Sequence, residues 1–423
     1  MATQSPEKHD QSYYDSVHRS FRRLEASPYK KRTARAFRVC HVCSAHSTDD
    51  SRIFHRMCTC LADAGYDVHL IGQSSATGTF QLRGVTIHPL PRWQSRRDRL
   101  WARFRIARLS QQLAPDLFHV HEPELLGPVV SVAGSRPVVW DVHESYLDLL
   151  SERAWIPRWL RPPAAHLWNL RERHWVGRCA AVVVVTEAIA ERYYRLHPNV
   201  RVVANYPCWS EIEQLPVVAR DGRTCVFAGM LSPERGLSQL LQALALLHSR
   251  GLSLPLVLAG PADKSYLREL LAEAERLKIG QLVDYRGVLK RAEALVLQHQ
   301  ASIGVVPYLP SRNASAGIAN KLLEAMAVGL PVVFSDFPIY RQIAGAAGAG
   351  LPVDATKPGE IAIALERLVR DERLAKEMGE AGRRAIRERF NWEAEHVTLL
   401  DLYRKVLAQG LPAPIEFAPA ISQ

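Results

Sequence analysis

Long apolar runs are missing from this chain. No uninterrupted stretch approaches the roughly 20 residues needed to cross a bilayer, so no membrane-spanning helix is expected. The N-terminus carries charges from Glu7 onward and no apolar core, which reads against a signal peptide. Cysteine is scarce, with seven in 423 residues, and the odd number points to a reducing compartment rather than a disulfide framework. Cys40 and Cys43 have CxxC spacing, and Cys58 and Cys60 follow. The first pair sits in FRVCHVC, a buried-strand pattern, and the second in a helical one, so a zinc site is not expected. No RNA-recognition, zinc-finger or helix-turn-helix pattern appears. The first strand–loop–helix opening lacks GxGxxG, so nothing in it indicates a dinucleotide.

Acidic residues are outnumbered. The chain holds 54 Lys and Arg against 43 Asp and Glu, a formal net charge of +11. That excess implies an anionic partner: nucleic acid, acidic lipid or a phosphorylated substrate. Apolar residues make up 47% and charged residues 23%, so most of the chain is expected to fold as a globular protein. Its 423 residues exceed one ordinary domain and suit two. Residues 1–36 are polar and basic and read as a flexible arm, and the Pro-rich residues 409–423 read as a disordered tail.

Two segments combine charge with aromatics. Residues 92–109 hold seven arginines and one acid. On a helix, Leu100, Trp101, Phe104 and Ile106 interleave there with Arg96, Arg99, Arg103 and Arg105. Residues 153–178 gather Trp155, Trp159, Trp168 and Trp175 among Arg153, Arg158, Arg161 and Arg171. Basic helices with aromatics suit an anionic membrane surface. The plainer reading packs the aromatics on a sheet and leaves the arginines in water. The basic residues cluster with Trp rather than along a reading helix, so nucleic acid is not expected as a partner.

Strand and helix patterns alternate along the chain. FRVCHVC (37–43) reads as a strand, followed by the loop SAHSTDDSR, a helix, and the strand YDVHLIG (66–72). DLFHVHEPELL (116–126) and VVWDVHESY (138–146) each read as a strand entering a helix, and AAVVVVT (180–186) as a fully buried strand. Residues 206–222 have no clear period and read as a linker. The alternation then restarts with TCVFAGM (224–230), PLVLAG (255–260), LVDYRG (282–287) and ASIGVVPY (301–308). Two parallel sheets follow, each with ligand-binding loops at the C-terminal ends of its strands. His119 and His121 share one strand face. With His143 and Glu144 they read either as metal ligands or as polar groups of a substrate cleft, and the cleft needs no metal.

Residues 311–338, SRNASAGIANKLLEAMAVGLPVVFSDFP, read as a small polar loop, a helix stopping at Gly329 and a short apolar strand. Free N–H groups at the helix start suit an anion. Glu324 lies deeper in that helix, where a carboxylate accepts from sugar hydroxyls. Arg235 stands between a strand and a helix at the same expected sheet edge, where a guanidinium neutralises phosphate. Phosphate and ribose together point to a nucleotide. An ordinary βαβ crossover without a ligand is the alternative.

The ordered set FAGMLSPERGLSQLLQAL, LVLAGP, VDYRGVL, GVVPY and GIANKLLEAMAVGLPVV resembles the donor domain of retaining GT-B glycosyltransferases of family 4. HVCSAHSTDDSRIF, LADAGYDVHLIG, FHVHEPELL, WDVHESY and VVVVTEAIAERY resemble the acceptor domain of the bacterial branch. The resemblance implies an α/β protein of GT-B type, with two Rossmann-like parallel-sheet domains facing a cleft. Residues 37–210, joined by a returning C-terminal helix at 392–408, form the acceptor domain, and 211–391 the donor domain. It further implies that Glu324 holds the ribose hydroxyls and Arg235 the diphosphate. Gly229, Ser315, Gly317, Ile318 and Lys321 complete the donor side, and the backbone of Gly287, Val288 and Leu289 meets the base. His143 lies near the donor sugar, and Ser44, His46, His121 and Glu144 face the acceptor. The nucleoside-diphosphate sugar is a substrate, no cofactor is implied, and no metal-binding DxD motif is evident.

Two positions depart from the family pattern. The family commonly has two glutamates separated by seven residues; Glu324 fits the second and Ala316 occupies the first. Met230 stands where a basic residue often follows the glycine of the first donor strand, and Lys321 is expected to supply the lost charge. The reading is a retaining hexosyltransferase acting on a lipid-linked or polysaccharide acceptor. Its expected place is cytoplasmic and peripheral, on the inner face of the plasma membrane. A nucleotide-sugar epimerase on the same fold, or a catalytically silent nucleotide-sugar-binding protein, are the alternatives.

Overall fold

A computed structural model describes residues 36–152, 156–216, 218, 220, 223–311, 314–315 and 317–409. The basic arm up to residue 35, the tail from residue 410, Arg153, Trp155 and Ala316 lie outside the described residues.

The first sheet contains β1 (Arg38–Ser47), β2 (Asp67–Gln73), β3 (Phe80–Leu82), β4 (Val85–Leu90), β5 (Leu117–Val120), β6 (Val138–Val142), β7 (Ala181–Val184) and β8 (Val200–Val202). Their spatial order is β3-β4-β2-β1-β5-β6-β7-β8. The second contains β9 (Cys225–Ala228), β10 (Leu256–Ala259), β11 (Val283–Tyr285), β12 (Ile303–Val306), β13 (Val332–Ser335) and β14 (Gly350–Val353), in the order β11-β10-β9-β12-β13-β14. Every pairing is parallel except the edge pair of β3 with β4. Helices cover the faces, so all residues of β5, β6, β7, β9, β12 and β13 are buried. This is why the strands read as apolar runs rather than alternating patterns.

The sequence pattern does not announce β3 or β14. β3 is a three-residue antiparallel edge strand, and β14 contains Gly350 and Pro352 in only four residues. The aromatic and basic stretch around residues 146–176 is divided. It comprises a helix at Tyr146–Glu152, a short turn at Arg158–Leu160 and a helix at Arg161–Val176. Pro162 and Pro163 sit in the first turn of the last helix, where a missing N–H costs nothing.

In both sheets the chain runs outward from its first strand and then returns to that strand's other side. It goes from β1 to β2 and β4 before β5, and from β9 to β10 and β11 before β12. Such a reversal leaves a crevice beyond the C-terminal strand ends, between the neighbouring loops.

The helix Trp392–Gln409 comes back to the first sheet. Its Leu399, Leu402, Tyr403 and Val406 bury among Val39, Phe54, Leu61 and Leu117. Each such side chain contributes about 1.5–3 kcal/mol on burial. Glu393 accepts from the backbone N–H groups of Trp209 and Ser210, and Glu395 from that of Ala204. These carboxylates pin the connection between the two sheets. Asn205 Nδ2 donates across it to Asn320 Oδ1 at 3.0 Å.

Candidate active site

At the first reversal, the C-terminal end of β1 is gathered around one carboxylate. Glu122, buried at the end of β5, accepts from the backbone N–H groups of Ser44, Ala45 and His46 at 2.8–3.0 Å. It also accepts from His46 Nδ1 at 2.8 Å. Burial opposes charge on Glu122, yet His46 and the backbone donors hold its carboxyl down to about 2. Burial also opposes charge on His46, but Glu122 raises that imidazole to about 9. The pair is therefore ionised near neutral pH and fixes the shape of this strand end.

Beneath it runs a buried polar chain. Asp141 on β6 accepts from Arg52 at both oxygens, 3.0 and 2.8 Å. Its Oδ2 also meets His121 Nδ1 at 3.1 Å and His143 Nε2 at 2.9 Å. Burial works against its charge, but Arg52 and the imidazoles keep Asp141 well below the usual carboxylate range. The chain continues from His121 Nε2 to His41 Nδ1 at 2.9 Å, from His41 Nε2 to the Tyr403 hydroxyl at 3.2 Å, and from there to His119 Nδ1 at 2.6 Å. Asp141, His41, His119, His121 and Tyr403 are fully buried. Two groups, His41–His119–His121 and His121–Asp141–His143, bring ligand-type atoms within 4.8 Å. In the first group His41 bonds His121 and His119 bonds Tyr403; in the second, both imidazoles and Arg52 bond Asp141.

At the second reversal, three strand ends meet through backbone. Gly229 N donates to Ala259 O at 2.6 Å and Gly260 N to Gly287 O at 2.7 Å. A Cβ on Gly260 would fall 2.2 Å from Gly229 O, so this approach requires glycine. The Lys321 side chain lies directly over Gly229. Arg235 stacks on the Tyr308 ring, with its Cζ 4.1 Å from the centroid, and Lys321 Nζ is 5.8 Å from the same centroid. Tyr308 follows β12, so two cations converge at the mouth between β9 and β12. Gly236, next to Arg235, has φ +66, and a Cβ there would strike Pro307 O. It turns the chain so that Arg235 faces inward.

Glu324 lies in the helix Asn320–Ala327, one turn beyond Lys321. Its Oε1 accepts from Arg291 Nη1 at 2.8 Å, and Arg291 Nε reaches Glu211 Oε2 at 3.1 Å. The helix starts at Asn320, and Ser315, Gly317 and Ile318 precede it in half-buried positions. Gly287 and Leu289 are half-buried and Val288 is exposed, so this turn is open to a ligand.

A groove of about 1080 Å³ connects with the first reversal. His46, His143 and Glu144 line one end. Leu100 and Phe104 of the helix Arg96–Gln112 form one wall, and Trp168 and Trp175 of Arg161–Val176 form the other. Trp175 lies against Gly127, where a Cβ would come within 2.9 Å of the ring. Arg99, Arg103 and Arg171 also line the groove.

Of the acceptor-side residues expected from the sequence, His46 and Glu144 reach this groove. Ser44 and His121 do not; they are fully buried, and internal hydrogen bonds engage them. The aromatics of the basic segments divide. Trp168 and Trp175 pack on the core, whereas Trp101 is 75%, Phe104 58% and Trp159 74% exposed. Arg52, Glu122, Asp141 and Arg291 escaped the sequence reading. Only Asp141 left a signal there: strand alternation puts it on the same face as His143.

The chain is similar to proteins of known family and to solved structures. The profile described as "Glycosyl transferases group 1" matches residues 211–385, and "Glycosyltransferase Family 4" matches residues 51–206. A phosphatidyl-myo-inositol mannosyltransferase of Mycolicibacterium smegmatis is 27% identical over 313 residues, 72% of this chain and 74% of that protein. A D-inositol 3-phosphate glycosyltransferase of Corynebacterium urealyticum is 33% identical over 200 residues, 46% of each chain. Sucrose-phosphate synthase from Thermosynechococcus elongatus superposes with a TM-score of 0.70 at 18% identity, covering 88% of this chain and all of that one. Anabaena HepE in complex with UDP and glucose gives 0.65 at 15%, over 88% and 100% of the chains. These two structures share the fold.

Proposed function

We propose that this chain, which belongs to the group 1 glycosyltransferases and has the GT-B fold, transfers a sugar with retention from a nucleoside-diphosphate sugar to a lipid-linked acceptor at a membrane surface. The observation that carries the lipid reading is the groove. Apolar walls from two helices lead toward His143, arginines line it, and Trp101 and Phe104 stand exposed beside it. An acyl or prenyl chain suits the walls, and an anionic headgroup suits the arginines. No helix among the described residues is long and apolar enough to cross a membrane, so contact through this face fits a peripheral attachment.

The donor lies at the second reversal. Arg235 and Lys321 take the diphosphate, Glu324 the ribose hydroxyls, and the turn at Gly287–Leu289 the base. In the reaction, the bond from C1 of the sugar to the phosphate oxygen breaks and its electron pair stays on the diphosphate. The acceptor oxygen bonds to C1 from the same face, and its proton passes to the departing phosphate oxygen. Two fixed cations stabilise the charge that builds on that oxygen. A second reading, a protein that binds the donor without turnover, is favoured by Met230 at the position where the family often has a basic residue.

The test is a thermal-shift panel of UDP-, GDP- and ADP-sugars, followed by NMR of the product formed with the stabilising donor. One donor is expected to stabilise the protein and give a product of unchanged anomeric configuration. Inversion overturns the retaining mechanism, and stabilisation without turnover establishes the second reading.

A further inference from the structure

Asp141 is the one group in the buried chain whose proton state is beyond choice: as a carboxylate it only accepts. That fixes every neighbour. His121 must present Nδ1–H to Asp141, and burial keeps this ring neutral, so its Nε2 is a bare acceptor. His41 must then donate from Nδ1, and its Nε2 accepts from Tyr403. The Tyr403 oxygen in turn accepts from His119 Nδ1–H. Neutral His119 is left with a bare Nε2, and His119 Nε2 is indeed the nitrogen of this chain without a partner. The chain thus closes with one orphaned acceptor and no orphaned donor. Each Nδ1–H dipole in it points toward Asp141.

Asp141 fixes His143 as well. Its Nε2 lies 2.9 Å from Asp141 Oδ2, so Nε2 carries the hydrogen. The 3.2 Å separation between His143 Nε2 and His121 Nδ1 is the third side of a triangle of two donors sharing one oxygen. Arg52 holds that oxygen from another side. His143 lines the groove, and its Nδ1 is the nitrogen left to face it.

We propose that Asp141 is a positioning residue that locks His143 in the Nε2–H tautomer, so that Nδ1 meets the reacting sugar as a hydrogen-bond acceptor. The contact to the sugar rests on the transferase reading above; the tautomer does not. With Nδ1 bare, His143 accepts from a sugar hydroxyl and cannot donate to a phosphate oxygen. Donor phosphates therefore depend on Arg235 and Lys321 alone among these groups. Tyr403, the link between His41 and the terminal His119, lies on the returning helix Trp392–Gln409, which completes the buried network without reaching the groove.

The test is side-chain nitrogen NMR of the ¹⁵N-histidine-labelled full chain, without donor or acceptor. The signal missing in His143→Phe assigns His143. Nε2–H at His143 is expected in the wild type, with Nδ1–H at His41, His119 and His121. Nδ1–H at His143 overturns the proposal. In Asp141→Asn the His143 tautomer is expected to change or become mixed, and an unchanged one also overturns it. Should that variant not fold, the wild-type spectrum decides alone. In activity, Asp141→Asn is expected to lower kcat about a hundredfold with little change in donor KM. Failure of turnover with the expected tautomer present would count against the transferase reading and leave the tautomer assignment standing.

Discussion

Arg291 Nη1 donates to Glu324 Oε1 at 2.8 Å, while Nε of the same guanidinium reaches Glu211. One cation thus stands between two carboxylates at the junction of the linker and the second sheet. Burial opposes its charge, but Glu211 and Glu324 keep Arg291 protonated. Arg291→Met is expected to leave the two carboxylates facing each other, at a cost on the order of 3 kcal/mol. Tm should fall, and donor KM should rise as Glu324 loses its orientation. Titration calorimetry with the stabilising nucleotide measures the second effect, and an unchanged affinity removes Arg291 from the donor site.

Lys321 covers Gly229, so two substitutions bear on one contact. Lys321→Ala is expected to weaken donor binding about tenfold, the loss of one charged phosphate contact. Gly229→Ala displaces the same side chain, and its φ of +153 adds backbone strain. The double variant should be little worse than the poorer single one. Additive losses would show that Lys321 and Gly229 act separately.

The Glu122–His46 pair makes a pH prediction. The Glu122 carboxyl is depressed to about 2, so its contribution is present above its unfolded value near 4.5 and is lost as pH falls toward 2. The His46 imidazole is raised to about 9, so its contribution is complete below about 6.5 and is lost as pH rises through 9. Glu122→Gln is expected to cost on the order of 2–4 kcal/mol, because an amide cannot replace a carboxylate that accepts from three backbone N–H groups. It should also abolish the fall in Tm between pH 6.5 and 9. A fall that persists in the variant assigns it to other groups.

Trp101 and Phe104 are exposed, so replacing both with Ser should leave Tm unchanged within about a degree. Flotation with anionic vesicles should fall several-fold, while donor-induced stabilisation stays. Flotation equal to wild type would place the membrane contact elsewhere.

The C-terminal edge of the second sheet was largely legible in the sequence because its loops follow the strands in chain order. Arg235, Gly229, Gly287 and Glu324 needed only the alternation of strands and helices to be placed at one edge. Lys321 was legible as a charge, though not as a side chain lying on Gly229. The acceptor side was less so. Ser44 lies near the end of β1 and His121 just after β5, where a polar residue can face the groove or the core, and internal partners turn both inward. Those partners are remote in sequence: Arg52 and Asp141 are 89 residues apart, and His119 and Tyr403 are 284 apart. Periodicity carries no information over such separations. The same limit hid Arg291, whose helix start looked ordinary until the fold brought Glu211 and Glu324 to it.

In the proposed function the cations of the second sheet and the groove of the first serve one transfer reaction. Labelled sugar recovered in the lipid phase tests it most directly, using the full chain, its stabilising nucleotide sugar and anionic vesicles carrying bacterial lipid-linked acceptors. Label is expected in the lipid with wild type and about a hundredfold less with His143→Ala, which should still bind the donor. Label that stays in the nucleotide or is released only to water, or equal transfer by His143→Ala, would contradict the account.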